Sequence, residues 1–267
     1  MKAQKVSGMG ERWENYRVAN SKFPKVRIRE LTRQLELTNP QNGETIAEVG
    51  TGNGYLTFAL ACKVGKNGRI ITYDYQKSNL DFVNNHNKNG LPITTIHQNI
   101  DYDFELSNES VDKVSSIATL HHYDDRSNET GTNGREKAIK EFYRILKKEG
   151  KLIIGDVAQG TPSQRHFDSI DNPIDCAPLG HPHDFLTERL ARELCSKAGF
   201  RNVKFKIEKV PWEFESEKQA QQFLHTIHNA KCSPQESFEH AKKTLEWWKE
   251  GNKFYLGWEL FYLMAEK

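Results

Sequence analysis

Thr45-Ile46-Ala47-Glu48-Val49-Gly50-Thr51-Gly52-Asn53-Gly54 is the stretch on which the reading of this chain turns. An apolar run ends on an acidic residue, and three glycines follow at alternate positions. Glycine permits left-handed and crowded backbone that side chains forbid. A turn with this spacing, set after a strand, brings main chain directly against a bound ligand. Dinucleotide sites use G-x-G-x-x-G, which rests a pyrophosphate on a helix N-terminus. Here the spacing is G-x-G-x-G, and a Glu48 carboxylate repels pyrophosphate while attracting an ammonium or a hydroxyl donor. By itself so short a motif is also compatible with an ordinary turn, so the flanking chain has to arbitrate.

Outward from the turn, strands and helices alternate. Apolar or β-branched runs place strands at 45–49, 69–73, 93–97, 113–117, 151–155, 202–210 and 255–265. Helical spacing covers 25–38, 55–62, 80–87, 135–147 and 187–198, with stops such as Pro40, Gly150 and Gly199. The order implies an α/β, Rossmann-like, seven-stranded and mostly parallel sheet with helices on both faces. The last strand returns without a crossover helix and is expected to run antiparallel. Residues 156–184 are irregular, and 216–251 read as a helical insertion. Loops this long usually bind something or move. The expected organisation is therefore a helical lid at 1–43 and a main domain at 44–267, with substrate-cap insertions at 156–184 and 211–254.

Composition sets limits on function. The chain has 267 residues, 36% hydrophobic and 28% charged, enough for one large domain or a domain with a cap. No apolar run is long enough for a membrane span, and residues 1–10 lack the apolar core of a secretory signal. Four scattered cysteines (Cys62, Cys176, Cys195, Cys232) suggest reduced thiols and a cytoplasmic location. A net charge of +2 gives no strong pull on nucleic acid. The basic cluster Lys22, Lys25, Arg27, Arg29 and Arg33 reads as a solvated helix face.

Four stretches together carry a family resemblance. They are Glu48 to Gly54; Tyr73-Asp74-Tyr75-Gln76-Lys77-Ser78; Ser110-Val111-Asp112-Lys113-Val114 followed by Ala118-Thr119-Leu120-His121-His122; and Phe142-Tyr143-Arg144-Ile145-Leu146-Lys147-Lys148-Glu149-Gly150-Lys151-Leu152. In this order and separation they resemble the class I S-adenosylmethionine-dependent methyltransferases, above all the small-molecule kind of quinone and natural-product biosynthesis. The likeness is continuous over 44–157 and looser beyond. It implies methyl transfer from S-adenosylmethionine to an O, N or C nucleophile by in-line displacement. That cofactor has an ammonium and ribose hydroxyls but no phosphate, which suits Glu48. The cofactor-binding residues it implies are Glu48, Gly50, Thr51, Gly52, Asn53, Gly54, Asp74, Tyr75, Asn99, Ile100 and Ala118.

Physical roles can be argued beside the resemblance. Asp74, ending the second strand, can accept both ribose hydroxyls, or else cap the next helix. Asn99 offers donor and acceptor to an adenine edge, although the family more often has Asp there. A general base is required only if the nucleophile is a hydroxyl or a protonated amine. His183 and His181, in Gly180-His181-Pro182-His183-Asp184, and His121 are the candidates, against ordinary packing roles. A metal held by His181, His183 and Asp184 lacks a further ligand, so none is expected. Most aromatics of the C-terminal third (Trp212, Phe214, Phe223, Trp247, Trp248, Trp258) read as core. The expected partner is a small-molecule substrate, with homodimer formation left open. An RNA-modifying methyltransferase and a non-catalytic cofactor-binding module are the alternatives. No N/D-P-P-Y-type sequence follows the fourth strand, which argues against the RNA reading.

Overall fold

The computed structural model describes residues 9–98, 104–122, 134–170 and 185–267, with side chains from Glu14 onward. In chain order the elements begin α1 Met9–Lys22, α2 Ile28–Thr38, β1 Thr45–Val49, α3 Tyr55–Val64, β2 Arg69–Asp74, α4 Lys77–His86 and β3 Ile93–His97. They continue with β4 Val111–Ile117, a 3-10 turn Leu120–His122, α5 Gly134–Ile145, β5 Leu146–Asp156, α6 Pro162–Ile170 and α7 Glu188–Ala198. The last are β6 Arg201–Lys209, β7 Trp212–Phe214, α8 Glu217–Ile227, α9 Pro234–Thr244, β8 Trp247–Glu250, β9 Lys253–Leu256 and β10 Glu259–Glu266. They fall into two units. The larger comprises Leu31–Gln159, His183–Glu208 and Leu260–Lys267; the smaller comprises Met1–Glu30, Gly160–Pro182 and Lys209–Glu259.

The larger unit is built on a seven-stranded sheet of order β3-β2-β1-β4-β5-β10-β6. Strands β1 to β5 pair in parallel, and β10 runs antiparallel to β5, with Phe261 opposite Asp156 and Glu266 opposite Lys151. Parallel strands are covered on both faces and so read as continuous apolar runs. On one face Ala138, Ile139, Phe142 and Ile145 of α5, with Leu194 and Cys195 of α7, pack on Val114, Leu152, Ile154 and Leu263. Each of the Val, Ile, Leu and Phe side chains contributes about 1.5–3 kcal/mol by burial. α2 is held to the sheet by polar bonds: Gln34 Nε2 donates to Ser115 Oγ (2.9 Å), and the Thr38 and Ser115 hydroxyls lie 3.0 Å apart. The strand order reverses between β1 and β4, and such a reversal opens a crevice beyond the strands' carboxyl ends.

The structure departs from the expected element bounds in four places. The run 255–265 is two strands, because the chain breaks at Gly257 and Trp258: β9 joins β7 and β8 in a separate three-stranded sheet, and only β10 enters the main sheet. The expected helix 216–251 is α8, α9 and β8. Ser216 caps α8, and a Ser233/Glu236 capping box with Pro234 starts α9. The helix 135–147 stops at Ile145 because Leu146 already pairs with Val111, and a register shift absorbs the residues before Lys151. Within 156–184, residues 162–170 form α6, while 171–184 lie outside the described residues.

The smaller unit has an aromatic core. Trp212 stacks on Trp258 at 4.2 Å, Phe223 meets Trp212 edge-on at 5.2 Å, and Phe238 meets Trp247 at 4.8 Å. Within it a buried Arg27–Glu30 ion pair accepts the Trp212 indole N–H. Trp212, Phe214, Phe223, Phe238 and Trp258 are buried core residues of that unit, whereas Trp247 and Trp248, expected in the core, are only half-buried because they lie on the short strand β8.

Candidate functional site

The glycine turn follows β1 at the strand-order reversal. Its Gly50 and Thr51 N–H groups both donate to Tyr73 O, at 2.9 and 3.1 Å, which ties the turn to the end of β2. Gly50, Gly52 and Gly54 have φ of 90°, 52° and 78°. At Gly50 a Cβ would lie 2.0 Å from Thr119 Oγ1, so the turns after β1 and β4 touch. Only a glycine allows that approach. α3 starts at Gly54 with no side-chain cap, leaving its first-turn N–H groups at the turn.

Glu48 is 1% exposed. Its Oε2 accepts the Thr57 hydroxyl at 2.6 Å, and Oε1 has no hydrogen-bond partner among the described residues. Burial pushes its carboxyl up to about 8; the Thr57 and Thr72 hydroxyls oppose this, and the Asp74 charge adds to it. This alters the sequence reading. With no cation beside it, Glu48 is largely protonated at neutral pH and is not a standing negative charge. A buried, orphaned carboxyl oxygen is costly; an arriving ammonium both satisfies it and favours the ionised form.

Asp74 ends β2. Its Oδ2 accepts from Gly52 N (2.9 Å) and Asn79 Nδ2 (3.1 Å), and its Oδ1 from Gln76 N (2.7 Å). Burial raises its carboxyl, against those three donors. The N-cap of α4 is Gln76, so the helix-cap alternative for Asp74 does not hold. Asp74 instead fastens the glycine turn and keeps about one lone-pair site, on Oδ1. Next to it Tyr75 is 55% exposed, an aromatic face left open to solvent.

Across the reversal, β4 leads into Ala118, a non-glycine residue at φ 50°, whose N–H donates to Gly155 O at 2.8 Å. The 3-10 turn then places His121 against Asp156, the last residue of β5. The ring Nδ1 lies 2.7 Å from Asp156 Oδ1, and the His121 N–H donates to Asp156 Oδ2 at 3.0 Å. Val157 N also donates to Oδ1 at 2.8 Å. Asp156 is 1% exposed and His121 6%. Sequence reasoning missed Asp156. The available signal was positional: an acidic residue ends this apolar strand as Asp74 ends β2, and Glu48 stands one residue before the end of β1.

The structure thus gathers Glu48, the glycine turn with Thr51 and Asn53, Asp74, Tyr75, Ala118 and His121 at the carboxyl edge of one sheet. Asn99, Ile100, His181, His183 and Asp184 lie outside the described residues. Among the described residues, no group of three His, Cys, Asp or Glu is placed to hold a metal. No described helix is long and apolar enough to cross a membrane. A concavity of about 340 Å³ lies at the opposite, amino-terminal edge. Two of its lysines are engaged in ion pairs there, Lys113 with Glu44 and Lys147 with Asp112, both at 2.7 Å.

Comparison with known proteins places this geometry. Residues 47–154 match the methyltransferase domain family. A ubiquinone/menaquinone biosynthesis C-methyltransferase of Hydrogenovibrio crunogenus is 26% identical over 129 residues, 48% of this chain and 47% of that protein. A demethylmenaquinone methyltransferase of Lactobacillus johnsonii is 27% identical over 178 residues, 60% of this chain and 69% of that one. The match thus spans about half the length of the first relative and about two thirds of the second. A solved S-adenosylmethionine-dependent methyltransferase of Aquifex aeolicus shares the fold at a TM-score of 0.53 and 17% identity, over 95% of this chain and 97% of that one.

Proposed function

Because the chain carries a class I S-adenosylmethionine-dependent methyltransferase domain, we propose that the protein transfers the cofactor's methyl group to a small-molecule acceptor by in-line displacement. The observation that carries the reading is Glu48 Oε1, a buried carboxyl oxygen lacking a partner among the described residues, set directly before a turn shaped for close backbone approach. When bound, S-adenosylmethionine supplies a sulfonium methyl that is already electrophilic. The protein's own work is then to bind, align and exclude water. Glu48 takes the α-ammonium. Asp74, with about one lone-pair site left by its three N–H donors, accepts a ribose hydroxyl. Tyr75 offers its ring to the adenine face. Alignment of this kind supplies on the order of 7–11 kcal/mol in well-oriented cases.

A small acceptor is supported by the activities for which the two quinone-pathway relatives are named and by the near-neutral charge of +2. The test is tritium transfer from S-adenosyl-[methyl-³H]methionine to the small-molecule fraction of a cell extract and, separately, to total tRNA. Label is expected in the small-molecule fraction. Label in tRNA alone, weakening with salt, would replace this reading with the RNA-modifying one. Tight S-adenosylhomocysteine binding with no label anywhere would make the protein a non-catalytic binding module.

A further inference from the structure

We propose that His121 is the general base of the reaction and Asp156 the residue that positions it; this rests on the methyl-transfer reading above. The pair stands where a base is needed. β1 and β4 flank the strand-order reversal; the turn after β1 carries the cofactor-facing groups, and the turn after β4 carries His121. Thr119, two residues before His121, already presses on Gly50. Ala118 holds left-handed backbone at φ 50° to make this exit, and strain of that kind at a non-glycine persists where surrounding structure enforces it, often at functional sites.

Asp156 grips His121 twice, by ring and by main chain, so neither the ring's orientation nor its tautomer is left loose. With the carboxylate accepting from Nδ1–H, the lone pair resides on Nε2. Among the described residues, the groups facing the pair include the Val157 N–H, the His122 ring 4.0 Å from that of His121, and the Phe185 ring at 5.8 Å. A histidine that serves packing alone does not require a buried carboxylate bonded to both its ring and its backbone. Burying that carboxylate is unfavourable unless the arrangement returns something.

The step balances as follows. The acceptor's nucleophilic atom bonds to the methyl carbon as the carbon–sulfur bond breaks, and that bond's electron pair stays on sulfur. The proton of the nucleophile passes to His121 Nε2, Nδ1–H remains bonded to ionised Asp156, and the proton is later released to water. A base so placed is redundant for a thiolate or a free amine. It assigns the acceptor to nucleophiles still protonated at neutral pH: hydroxyls, phenols or acidic C–H groups.

The test uses the full chain and three readouts. His121→Asn retains an N–H donor toward Asp156 but carries no base. Its S-adenosylhomocysteine affinity should stay within about twofold of wild type, while tritium transfer into the small-molecule fraction falls about 10²–10⁴-fold. The remaining transfer should keep rising with pH where the wild type levels off. Asp156→Asn should also lose transfer. In ¹⁵N-histidine NMR, His121 should carry its proton on Nδ1 in wild type and on Nε2 in Asp156→Asn. Wild-type transfer by His121→Asn, or a wild-type Nε2–H tautomer, overturns the proposal. A wild-type protein that neither binds S-adenosylhomocysteine nor transfers label sinks the methyl-transfer reading instead, and the NMR arm still decides the tautomer.

Discussion

At the scale of single residues, Glu48, the residue proposed to take the cofactor's ammonium, opposes folding when it must ionise. Its carboxyl, pushed up to about 8 from 4.5, is held neutral by burial. A carboxyl raised on folding contributes stability that is full below its unfolded value and lost as pH rises through its folded one. Without ligand the protein should therefore lose stability between about pH 4.5 and 8 on account of this residue. Glu48→Gln, neutral and similar in shape, should remove that loss and be more stable than wild type near pH 8. The same change should weaken S-adenosylhomocysteine binding about ten- to a hundredfold, the worth of a charged hydrogen bond. Calorimetry in buffers of different ionisation enthalpy should show wild type releasing close to one proton on binding at pH 7 and Glu48→Gln releasing none. Equal proton release by the two proteins would mean Glu48 is not the group the ammonium ionises.

At the scale of elements, the turns after β1 and β4 work as a pair because Gly50 lets them touch. Gly50 and Gly43 have nearly the same φ, 90° and 87°, but a Cβ at Gly43 meets nothing within 4 Å while one at Gly50 meets Thr119 Oγ1 at 2.0 Å. Alanine at either position bears the left-handed penalty of about 1–2 kcal/mol. Only Gly50→Ala should also separate the two turns and reduce S-adenosylhomocysteine binding at least about tenfold, a change of roughly 1.4 kcal/mol. Urea unfolding and ligand titration on both variants separate strain from function. The parallel strands and the helices on them were legible because each is a local apolar run or period with its own stop. β8 was not, since Trp247-Trp248 has no period to set it apart from the helix before it. Nor was the break at Gly257, which lies inside one continuous aromatic stretch. Asp156 illustrates the wider limit: its meaning comes from His121, 35 residues away, and nothing in the residues around it announces that contact.

For the whole molecule, two units each drawn from three chain segments should be distinguishable by their responses to acid. All five tryptophans (Trp13, Trp212, Trp247, Trp248, Trp258) belong to segments of the smaller unit, so indole fluorescence reports on it selectively. Its interior holds His166, 0% exposed, with Nε2 3.1 Å from His228 Nε2 and Nδ1 3.4 Å from Thr244 Oγ1. Burial, and then the neighbouring His240, lower its pKa from 6.5 to about 3. Between those values the unfolded chain binds the proton that the folded unit refuses, so stability must rise with pH across that window. The contribution is complete above about pH 6.5 and drains away toward pH 3. One proton corresponds to a slope of about 1.4 kcal/mol per pH unit. Within the smaller unit Glu14 and Glu236 have pKa values lowered from 4.5 and titrate below this range, while Glu48, in the larger unit, gives a slope of opposite sign that wild type and a His166 variant share. Fluorescence-detected urea unfolding near pH 5–6 should therefore show a slope more positive in wild type than in His166→Gln by about one proton, whatever the variant's absolute stability. Identical slopes in the two proteins would mean that the His166–His228 contact opens to water before the unit unfolds.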